Sequence, residues 1–411
     1  MTPADYLARH EADLVALLQK LIRLRTVNPP GENYAPITSV LVSELRRAGL
    51  KVRRIPIPRA LQRRTQPELL DYPRYNVIGY LDAGAAKTVH LNAHYDVVPV
   101  SGRWKHGDAF NPVVEGSWIY GRGTADMKGA IVSVIHALRS LQATGTRPLC
   151  NVEVSFTADE ETDSLLGSNW VVDHGKLKAD YAIVCEGGEG DHVCCGHNGV
   201  VWLNVLVHGK AAHGSTPERG INALEKMSAL VRALEDHSRE LAKRTFLAPG
   251  GRRMRPTLNV GGVFSSGEGG KINTVPAFAS FSIDRRVLAV ENHAAAEREL
   301  RAFLRQAAAA IPQCRITVEK VSENFSCFSA PTDPFFRAMQ ACVGAVRRRP
   351  AHATVSTGFN DMQFFAQHLQ IPTIGYGPGG QDYHAVNERA RVKDLVQAAQ
   401  IYANLLTSFA G

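Results

Sequence analysis

Seven acidic and histidine residues have the types and spacing of a hydrolytic metal centre. They are His94 and Asp96 in HLNAHYDVVP, Asp126 in YGRGTADMKG, Glu160 and Glu161 in SFTADEET, Glu186 in AIVCEGGEG, and His384 in GQDYHAVNE. Imidazole and carboxylate groups are common zinc ligands, and paired metal ions held by such groups activate water for hydrolysis. Each segment lies at or just after the end of a predicted strand, or in a loop beside one. The pattern therefore indicates a two-metal site and a hydrolase.

Single motifs leave simpler explanations open. Asp96 could lie on the same strand face as His94 and fix its tautomer, although most isolated histidines are structural or exposed. Asp126 precedes a helical pattern, where aspartate is a common cap, and a cap and a bridging ligand are compatible because helix N-termini favour negative charge. Glu160 and Glu161 could belong to a solvated loop, or one could bind metal while the other moves a proton.

The last two residues carry the same ambiguity. Glu186 ends an apolar run, where a carboxylate is costly unless it is paired or coordinated. His384 lies in the glycine-rich stretch GPGGQDYH and could simply be exposed. The chain has no complete zincin helix motif, no phosphate-binding loop and no GxSxG nucleophile motif.

Alternating strands and helices predict the scaffold for these residues. Short strands are predicted near residues 77–80, 88–91, 152–156 and 182–185, and an amphipathic helix follows Asp126. Such alternation favours an α/β fold with a mostly parallel sheet, in which ligands collect beyond the carboxyl ends of the strands.

The middle of the chain has a different order of elements. Strand 200–207, helix 222–241, strands 257–263 and 277–283, helix 291–310 and strand 315–320 form the β-α-β-β-α-β order of a ferredoxin-like domain. Helices near 334–346 and 392–409 and strand 373–376 then resume the first pattern. We therefore expect a catalytic domain built from 1–197 and 323–411, with residues 198–322 inserted as a smaller domain.

Composition argues against several other classes of protein. The net charge is +8, and arginine runs lie at 51–64, 251–255 and 346–350, but no aromatic interleaving or nucleic-acid motif accompanies them. We expect a solvated surface and no nucleic-acid partner.

Seven cysteines without a CxxC pair favour reduced thiols, with ligation by Cys194 or Cys195 as the weaker alternative. A polar N-terminus and the absence of a long apolar run predict a cytoplasmic protein with no membrane span.

The chain resembles a known family over nearly its whole length. The matching segments, in the family's order, are AHYDVVP, YGRGTADMKG, TADEE, GKAAHGSTPERGINA, NTVPAFASFSIDRR, and GYGPGG with QDYHAVNE. They are similar to those of the cocatalytic metallopeptidases, which include acetylornithine deacetylase, succinyl-diaminopimelate desuccinylase, aminoacylase and glutamate carboxypeptidase.

The resemblance implies a role for each residue. Asp126 would bridge two zinc ions per subunit, His94 and Glu186 would complete one metal site, and Glu161 and His384 would complete the other. Asp96 would orient His94, and Glu160 would be the general base. Cobalt or manganese could occupy the same donors.

The inserted domain would be a lid and the dimerisation surface of a homodimer. His213 would stabilise the oxyanion, reaching across from the partner subunit. Asn273 and Arg286 would hold the substrate, Arg286 by a bidentate contact with its carboxylate, although Arg285 is its neighbour.

Two departures leave the substrate open. Relatives carry a GGTSD-like stretch where this chain reads STGFND, so Gly358, Phe359 and Asn360 line the expected pocket, and Asn92-Ala93 replaces the usual Ser-Gly. An N-acyl amino acid is the expected substrate, with a dipeptidase or carboxypeptidase, or a hydrolase of an unusual amide, as alternatives. A non-catalytic scaffold would have lost ligands or the base, and this chain retains them.

Overall fold

The structure, a computed structural model, describes residues 1–267 and 270–411 and divides into two compact units. The first unit comprises Met1–Gly196, Phe328–Ser356 and Asn360–Gly411, and the second comprises His197–Cys327 and Thr357–Phe359. The role of residues 198–322 as a lid and dimerisation domain stays a prediction.

The first part of the chain contains six α-helices and eight strands. Up to residue 197 the helices are Pro3–Arg9 (α1), Glu11–Arg23 (α2), Tyr34–Arg47 (α3), Arg59–Thr65 (α4), Lys128–Thr144 (α5) and Ser168–His174 (α6). The strands there are Lys51–Pro56 (β1), Tyr75–Leu81 (β2), Thr88–His94 (β3), Val113–Glu115 (β4), Trp118–Tyr120 (β5), Asn151–Thr157 (β6), Tyr181–Val184 (β7) and His192–His197 (β8).

The remaining elements follow in the same order. The middle of the chain contains Gly199–His208 (β9), Ala212–His213 (β10), Ala223–Leu241 (α7), Phe246–Leu247 (β11), Arg253–Met254 (β12), Thr257–Ser265 (β13), Thr274–Val275 (β14), Phe278–Val287 (β15), His293–Ala310 (α8) and Arg315–Asn324 (β16). The last part contains Cys327–Phe328 (β17), Pro334–Arg347 (α9), His352–Ser356 (β18), Met362–His368 (α10), Thr373–Gly375 (β19), Arg389–Arg391 (β20) and Val392–Ser408 (α11).

The large sheet of the first unit is parallel at its centre. Its order is β1-β2-β6-β3-β7-β19-β8-β17, with β18 beside β8. The strands β6, β3, β7 and β19 pair in parallel, and the pairs β1–β2, β2–β6 and β19–β8 are antiparallel. Every residue of β3 and β6 is buried, as expected for a parallel sheet covered on both faces. Because the four central strands end at one edge, the loops that follow them lie together.

Helix α5 begins two residues after Asp126 and is buried on nearly all sides. Its apolar side chains at Ile131, Val134 and Leu138 are buried as the periodicity predicts, and so is Val132 on another face. The helix contacts α1, α2, α11 and β3, so a continuous apolar surface suits it. In the part of the chain that the structure describes, every helix is too short or too polar to cross a membrane.

The second unit has the predicted ferredoxin-like order. Its sheet runs β13-β15-β9-β16 with antiparallel pairing throughout. Alternate residues of β9 face a core that also contains Leu230 and Leu234 of α7 and Leu300 and Leu304 of α8. The period-2 pattern of β9 and the helical period of α7 and α8 therefore bury one face of each element.

Candidate metal centre

Asp126 lies at the centre of the cluster formed by the loops at the sheet edge. Its Oδ1 atom is 3.1 Å from His94 Nε2, and its Oδ2 atom is 3.1 Å from His384 Nε2. His384 Nε2 is also 3.1 Å from Glu161 Oε2. One ligand atom each from His94, Asp126 and Glu161 lies within 4.8 Å of the other two. The structure thus brings together four of the five predicted ligands from four separate segments.

Glu186 follows β7 and lines a cavity of about 260 Å³ together with Asp126. The Oε1 atoms of Glu161 and Glu186 are buried, and neither has a hydrogen-bond partner among the described residues. A buried oxygen without a partner costs about 1–3 kcal/mol, and more when it is charged. A cation held by these oxygens would remove that cost.

Burial and repulsion between carboxylates raise the pKa values of the glutamates. Burial raises the pKa of Glu186 to about 8; the nearby His94 opposes this shift, and the carboxylate of Asp126 adds to it. Burial also raises the pKa of Glu160 well above its usual range, and the charge of Glu186 contributes further. The carboxylates therefore carry more negative charge than the protein around them compensates.

The pKa values of the two histidines are raised, and the pKa of Asp126 is lowered. Hydrogen bonds to Asp126 and Glu161 raise the pKa of His384 to about 10. Burial would lower the pKa of His94, but hydrogen bonds to Asp126 and Asp96 raise it well above its usual range. Burial alone would raise the pKa of Asp126, yet the hydrogen bonds from His384 and His94 hold it below its usual range.

Burial and repulsion between carboxylates favour the protonated glutamates, and hydrogen bonds to carboxylates favour the protonated histidines. Divalent cations can replace protons that are held in this way. Two imidazoles with three carboxylates are a donor set that suits zinc. The residues present therefore fit a metal centre.

Asp96 connects a histidine of the cluster to the turn that carries Glu160. His94 Nδ1 lies 3.1 Å from the backbone oxygen of Asp96 and 3.4 Å from its Oδ1, so the ring nitrogen faces this one residue. The buried Asp96 carboxylate also accepts the N–H groups of Glu160 at 3.3 Å and Glu161 at 3.2 Å. Glu160 Oε2 is 3.8 Å from His94 Nε2. Asp126 precedes the N-cap of α5 and does not cap the helix, since the N-cap residue is Met127.

Three groups of buried polar residues around the cluster were not predicted from the sequence. Arg122 pairs with Glu388, Arg74 pairs with Asp159, and all four side chains are buried. The buried carboxylate of Asp361 accepts the hydroxyls of Ser164 and Ser168, each at 2.5 Å. Some of these residues lie in segments already singled out, with Arg122 in YGRGTADMKG, Asp159 in TADEE and Glu388 in QDYHAVNE, whereas nothing in the sequence marks Arg74.

In the second unit, His213 and Asn273 are neighbours. Strand β10 pairs with β14, and the N–H of Gly214 donates to the backbone oxygen of Asn273 at 2.7 Å. His213 is exposed, and its Nδ1 accepts the N–H of Ser215 at 3.2 Å. The hydrogen of the neutral ring therefore lies on Nε2, and this exposed ring can present it to a ligand.

The two adjacent arginines of β15 have different environments. Arg285 is 1% exposed and pairs with Glu291 at 2.9 Å. Arg286 is 34% exposed and pairs with Asp284 on its own strand at 2.9 Å. Arg286 is therefore the arginine of this pair that a ligand can reach.

The STGFND stretch is divided between the units. Gly358 is exposed and Phe359 is half-buried in the second unit, whereas Asn360 belongs to the first. A Cβ atom added at Gly187 would lie 3.0 Å from Asn360 Nδ2. Asn360 therefore lies beside the Glu186 segment.

Comparisons with known proteins identify relatives by sequence and by fold. The chain is 29% identical over 97% of its length to a succinyl-diaminopimelate desuccinylase of Rhodopseudomonas palustris (strain BisB5), of which 98% is covered. Two solved structures share the fold. The aminopeptidase PepT of Bacillus cereus is 19% identical with a TM-score of 0.73, covering 97% of this chain and 98% of that one. The YXEP protein of Bacillus subtilis, described as a dinuclear metal binding peptidase, is 14% identical with a TM-score of 0.70, covering 97% and 98%.

The family match extends over most of the sequence. Residues 90–408 match the peptidase family M20/M25/M40, and this region contains the whole second unit, the first unit from residue 90 to residue 408, and all five predicted ligands. The chain therefore belongs to the peptidase family M20/M25/M40, whose members are metal-dependent hydrolases of amide and peptide bonds.

Proposed function

We propose that this chain is a dinuclear metallohydrolase that cleaves the amide bond of an N-acyl amino acid or a similar carboxylate-bearing substrate. The position of Asp126 carries the proposal, because its two oxygens lie 3.1 Å from His94 and 3.1 Å from His384. One carboxylate between two imidazoles is suited to bridge two cations. The desuccinylase relative, 29% identical over 97% of the chain, supports the substrate class.

The ligands divide between two positions. Asp126 would bridge, His94 and Glu186 would hold one cation, and Glu161 and His384 would hold the other. Zinc suits these donors, and manganese or cobalt can use the same set. When bound, such cations polarise the scissile carbonyl and lower the pKa of a shared water.

Glu160 would take the proton of the attacking water and deliver it to the leaving nitrogen. Its Oε2 lies 3.8 Å from His94 Nε2, so it borders the cluster. Asp96 holds the N–H of Glu160 at 3.3 Å and faces His94 at 3.4 Å. One carboxylate therefore sets the base and a ligand relative to each other.

Residues 198–322 would form the lid and the dimerisation domain. Arg286 and Asn273 would bind the substrate carboxylate, and His213 of the partner subunit would donate to the developing oxyanion through Nε2. Gly358, Phe359 and Asn360 would shape the pocket. The cytoplasm is the proposed compartment, consistent with seven cysteines that include no CxxC pair.

A dipeptidase or carboxypeptidase is the second candidate, and Glu189 is the observation that favours it. Glu189 lines the same cavity as Asp126 and Glu186, and Tyr383 Oη donates to its carboxylate at 2.8 Å. This carboxylate could pair with the free α-ammonium group of a peptide, which is absent from an N-acyl amino acid because its α-nitrogen is acylated. Glu189→Gln should then raise KM for dipeptides and leave N-acyl substrates that have no side-chain amine unaffected. Because the STGFND stretch departs from its relatives, unusual amides belong in the same screen.

Metal analysis followed by a substrate screen tests the proposal. The purified protein should hold two cations and hydrolyse members of a panel of N-acetyl and N-succinyl amino acids and dipeptides. Glu160→Ala should keep the metal and lose about 10²–10⁴-fold in kcat, the usual contribution of a general base. Wild-type turnover in this variant, or a protein that binds no metal, would show the mechanism to be wrong.

Mixed dimers test whether His213 acts across subunits. His213→Ala and Glu160→Ala are each expected to be inactive. If the histidine acts in the partner's site, random mixing gives one intact site in half of the dimers, or about a quarter of wild-type activity. If it acts within its own chain, the mixture stays inactive and the cross-subunit role is wrong.

A further inference from the structure

A buried ion pair connects two segments of the metal cluster. Arg122 is 2% exposed, Glu388 is 0% exposed, and Arg122 Nη1 lies 2.6 Å from Glu388 Oε2. Arg122 lies four residues before Asp126, and Glu388 lies four residues after His384. Each member of the pair therefore flanks one proposed ligand.

The carboxylate of Glu388 organises the loop that carries Asp126. It accepts the N–H groups of Gly123 at 3.0 Å, Ala125 at 2.9 Å and Asp126 at 3.0 Å. These groups lie in turns before α5, outside any regular helix or strand. Buried N–H groups need an acceptor, and Glu388 supplies it for all three. Its bond to Asp126 acts on the backbone of the proposed bridging ligand itself.

Arg122 connects Glu388 to the segment that carries His384. Its Nη2 donates to the backbone oxygen of His384 at 3.0 Å while Nη1 bonds Glu388. A guanidinium is a rigid planar fork, so these two acceptors have a fixed separation. The Asp126 and His384 backbones are thus tied to one rigid unit.

We propose that Arg122 and Glu388 are positioning residues that set Asp126 and His384 at bridging distance and so raise the affinity for metal. This inference rests on the proposed function, in which the cluster binds two cations. Burying an ion pair is of uncertain benefit to stability alone, because desolvation can exceed the attraction. Ligands on irregular loops, in contrast, gain affinity when supporting bonds fix their orientation.

Glu388→Gln tests the proposal. An amide has one acceptor oxygen and would point an NH₂ group at Arg122 or at the loop N–H groups, so zinc affinity should fall about 10–100-fold. The measurement is chelator competition against zinc-loaded protein, read with a zinc-sensitive dye and independent of hydrolysis.

Glu291→Gln is the matched control. Glu291 also accepts a buried arginine, Arg285 at 2.9 Å, and a backbone N–H, Leu288 at 2.7 Å, but in the second unit. A comparable loss of stability with unchanged zinc affinity is expected. If Glu291→Gln weakens zinc binding as much as Glu388→Gln, global destabilisation explains both results and the proposal fails.

Two further variants separate position from charge. Arg122→Gln with Glu388→Gln restores the net charge but not the acceptors, so zinc affinity should stay at least about 10-fold below wild type. Recovery to the wild-type value would mean that charge alone acts, and would overturn the proposal. Arg122→Lys keeps the charge and loses the fork, so one of the two zinc ions should be released more easily than in wild type.

The result for wild type distinguishes the two proposals. Wild-type protein that binds two zinc ions, with Glu388→Gln binding them equally well, overturns the positioning role alone. Wild-type protein that binds no zinc, manganese or cobalt overturns the proposed function.

Discussion

The buried ion pair between Arg74 and Asp159 predicts a stability loss of defined size. Both side chains are 0% exposed, and Arg74 Nε lies 3.1 Å from Asp159 Oδ2. Asp159 also accepts from Asn28 at 3.1 Å, Tyr34 at 3.1 Å and Gln66 at 3.2 Å, all of which are neutral donors. Without Arg74, a buried carboxylate would keep hydrogen bonds but lose its counter-charge.

Arg74→Met keeps most of the apolar stem and removes the charge. Removing one partner of a buried pair costs about 3–5 kcal/mol in the free energy of unfolding. Arg25→Met is the control, because it makes the same change of charge in an exposed pair. The side chains of Arg25 and Asp108 are 54% and 47% exposed. Such a surface pair contributes only about 0–1 kcal/mol. Urea unfolding at pH 8, followed by circular dichroism, measures both.

A second substitution separates the unpaired charge from lost packing. Combining Arg74→Met with Asp159→Asn removes both charges, so the double variant should regain most of the lost stability. The reasoning is refuted if Arg74→Met costs no more than Arg25→Met. It is also refuted if the double variant is no more stable than Arg74→Met, since packing would then be the cause.

Three shorter predictions concern packing, pH and substrate binding. Gly129→Ala should destabilise the protein by about 1–3 kcal/mol, because the added Cβ would lie 2.2 Å from the backbone oxygen of Thr124. This clash should exceed the gain from the higher helix propensity of alanine, and a raised melting temperature would contradict the prediction. Burial lowers the pKa of His136 from 6.5 to about 4, so only the unfolded chain binds a proton between these values. The contribution of His136 to the free energy of unfolding should therefore fall by about 2 kcal/mol between pH 7.5 and pH 5, so wild type should lose that much stability relative to His136→Leu in urea titrations at the two pH values. Arg286→Ala should raise KM for carboxylate substrates by about 10–100-fold with little change in kcat, and an unchanged KM would remove its role.

Elements with clear periodicity were predictable, and charged or irregular ones were not. The buried strands β3 and β6 and the alternating strand β9 stand out as apolar patterns in the sequence. Strand β1 was missed because it reads KVRRIP and is an exposed edge strand. Helix α3 was missed because Pro36 interrupts its pattern, although proline is tolerated in a first helical turn.

The candidate site divides in the same way. Metal chemistry limits ligands to a few residue types, so His94, Asp126 and His384 could be proposed as ligands from type and local motif. The partners Arg122 and Glu388 lie 266 residues apart, and a charged residue in a polar loop is usually solvated. Their burial is a property of the fold, which no local pattern reports.

The supporting carboxylates follow one physical rule. Asp96 accepts the N–H groups of Glu160 and Glu161, and Glu388 accepts those of Ala125 and Asp126. Each of these two carboxylates therefore binds the backbone of a segment that carries proposed catalytic or metal-binding residues. A side chain can change rotamer, but a backbone held by a buried charge-assisted hydrogen bond has little freedom. We therefore infer that two acids outside the proposed ligand set hold the backbones of the proposed metal ligands in place. For this reason substitutions at Asp96 or Glu388 should lower metal affinity more than substitutions of surface acids at the same distance from Asp126.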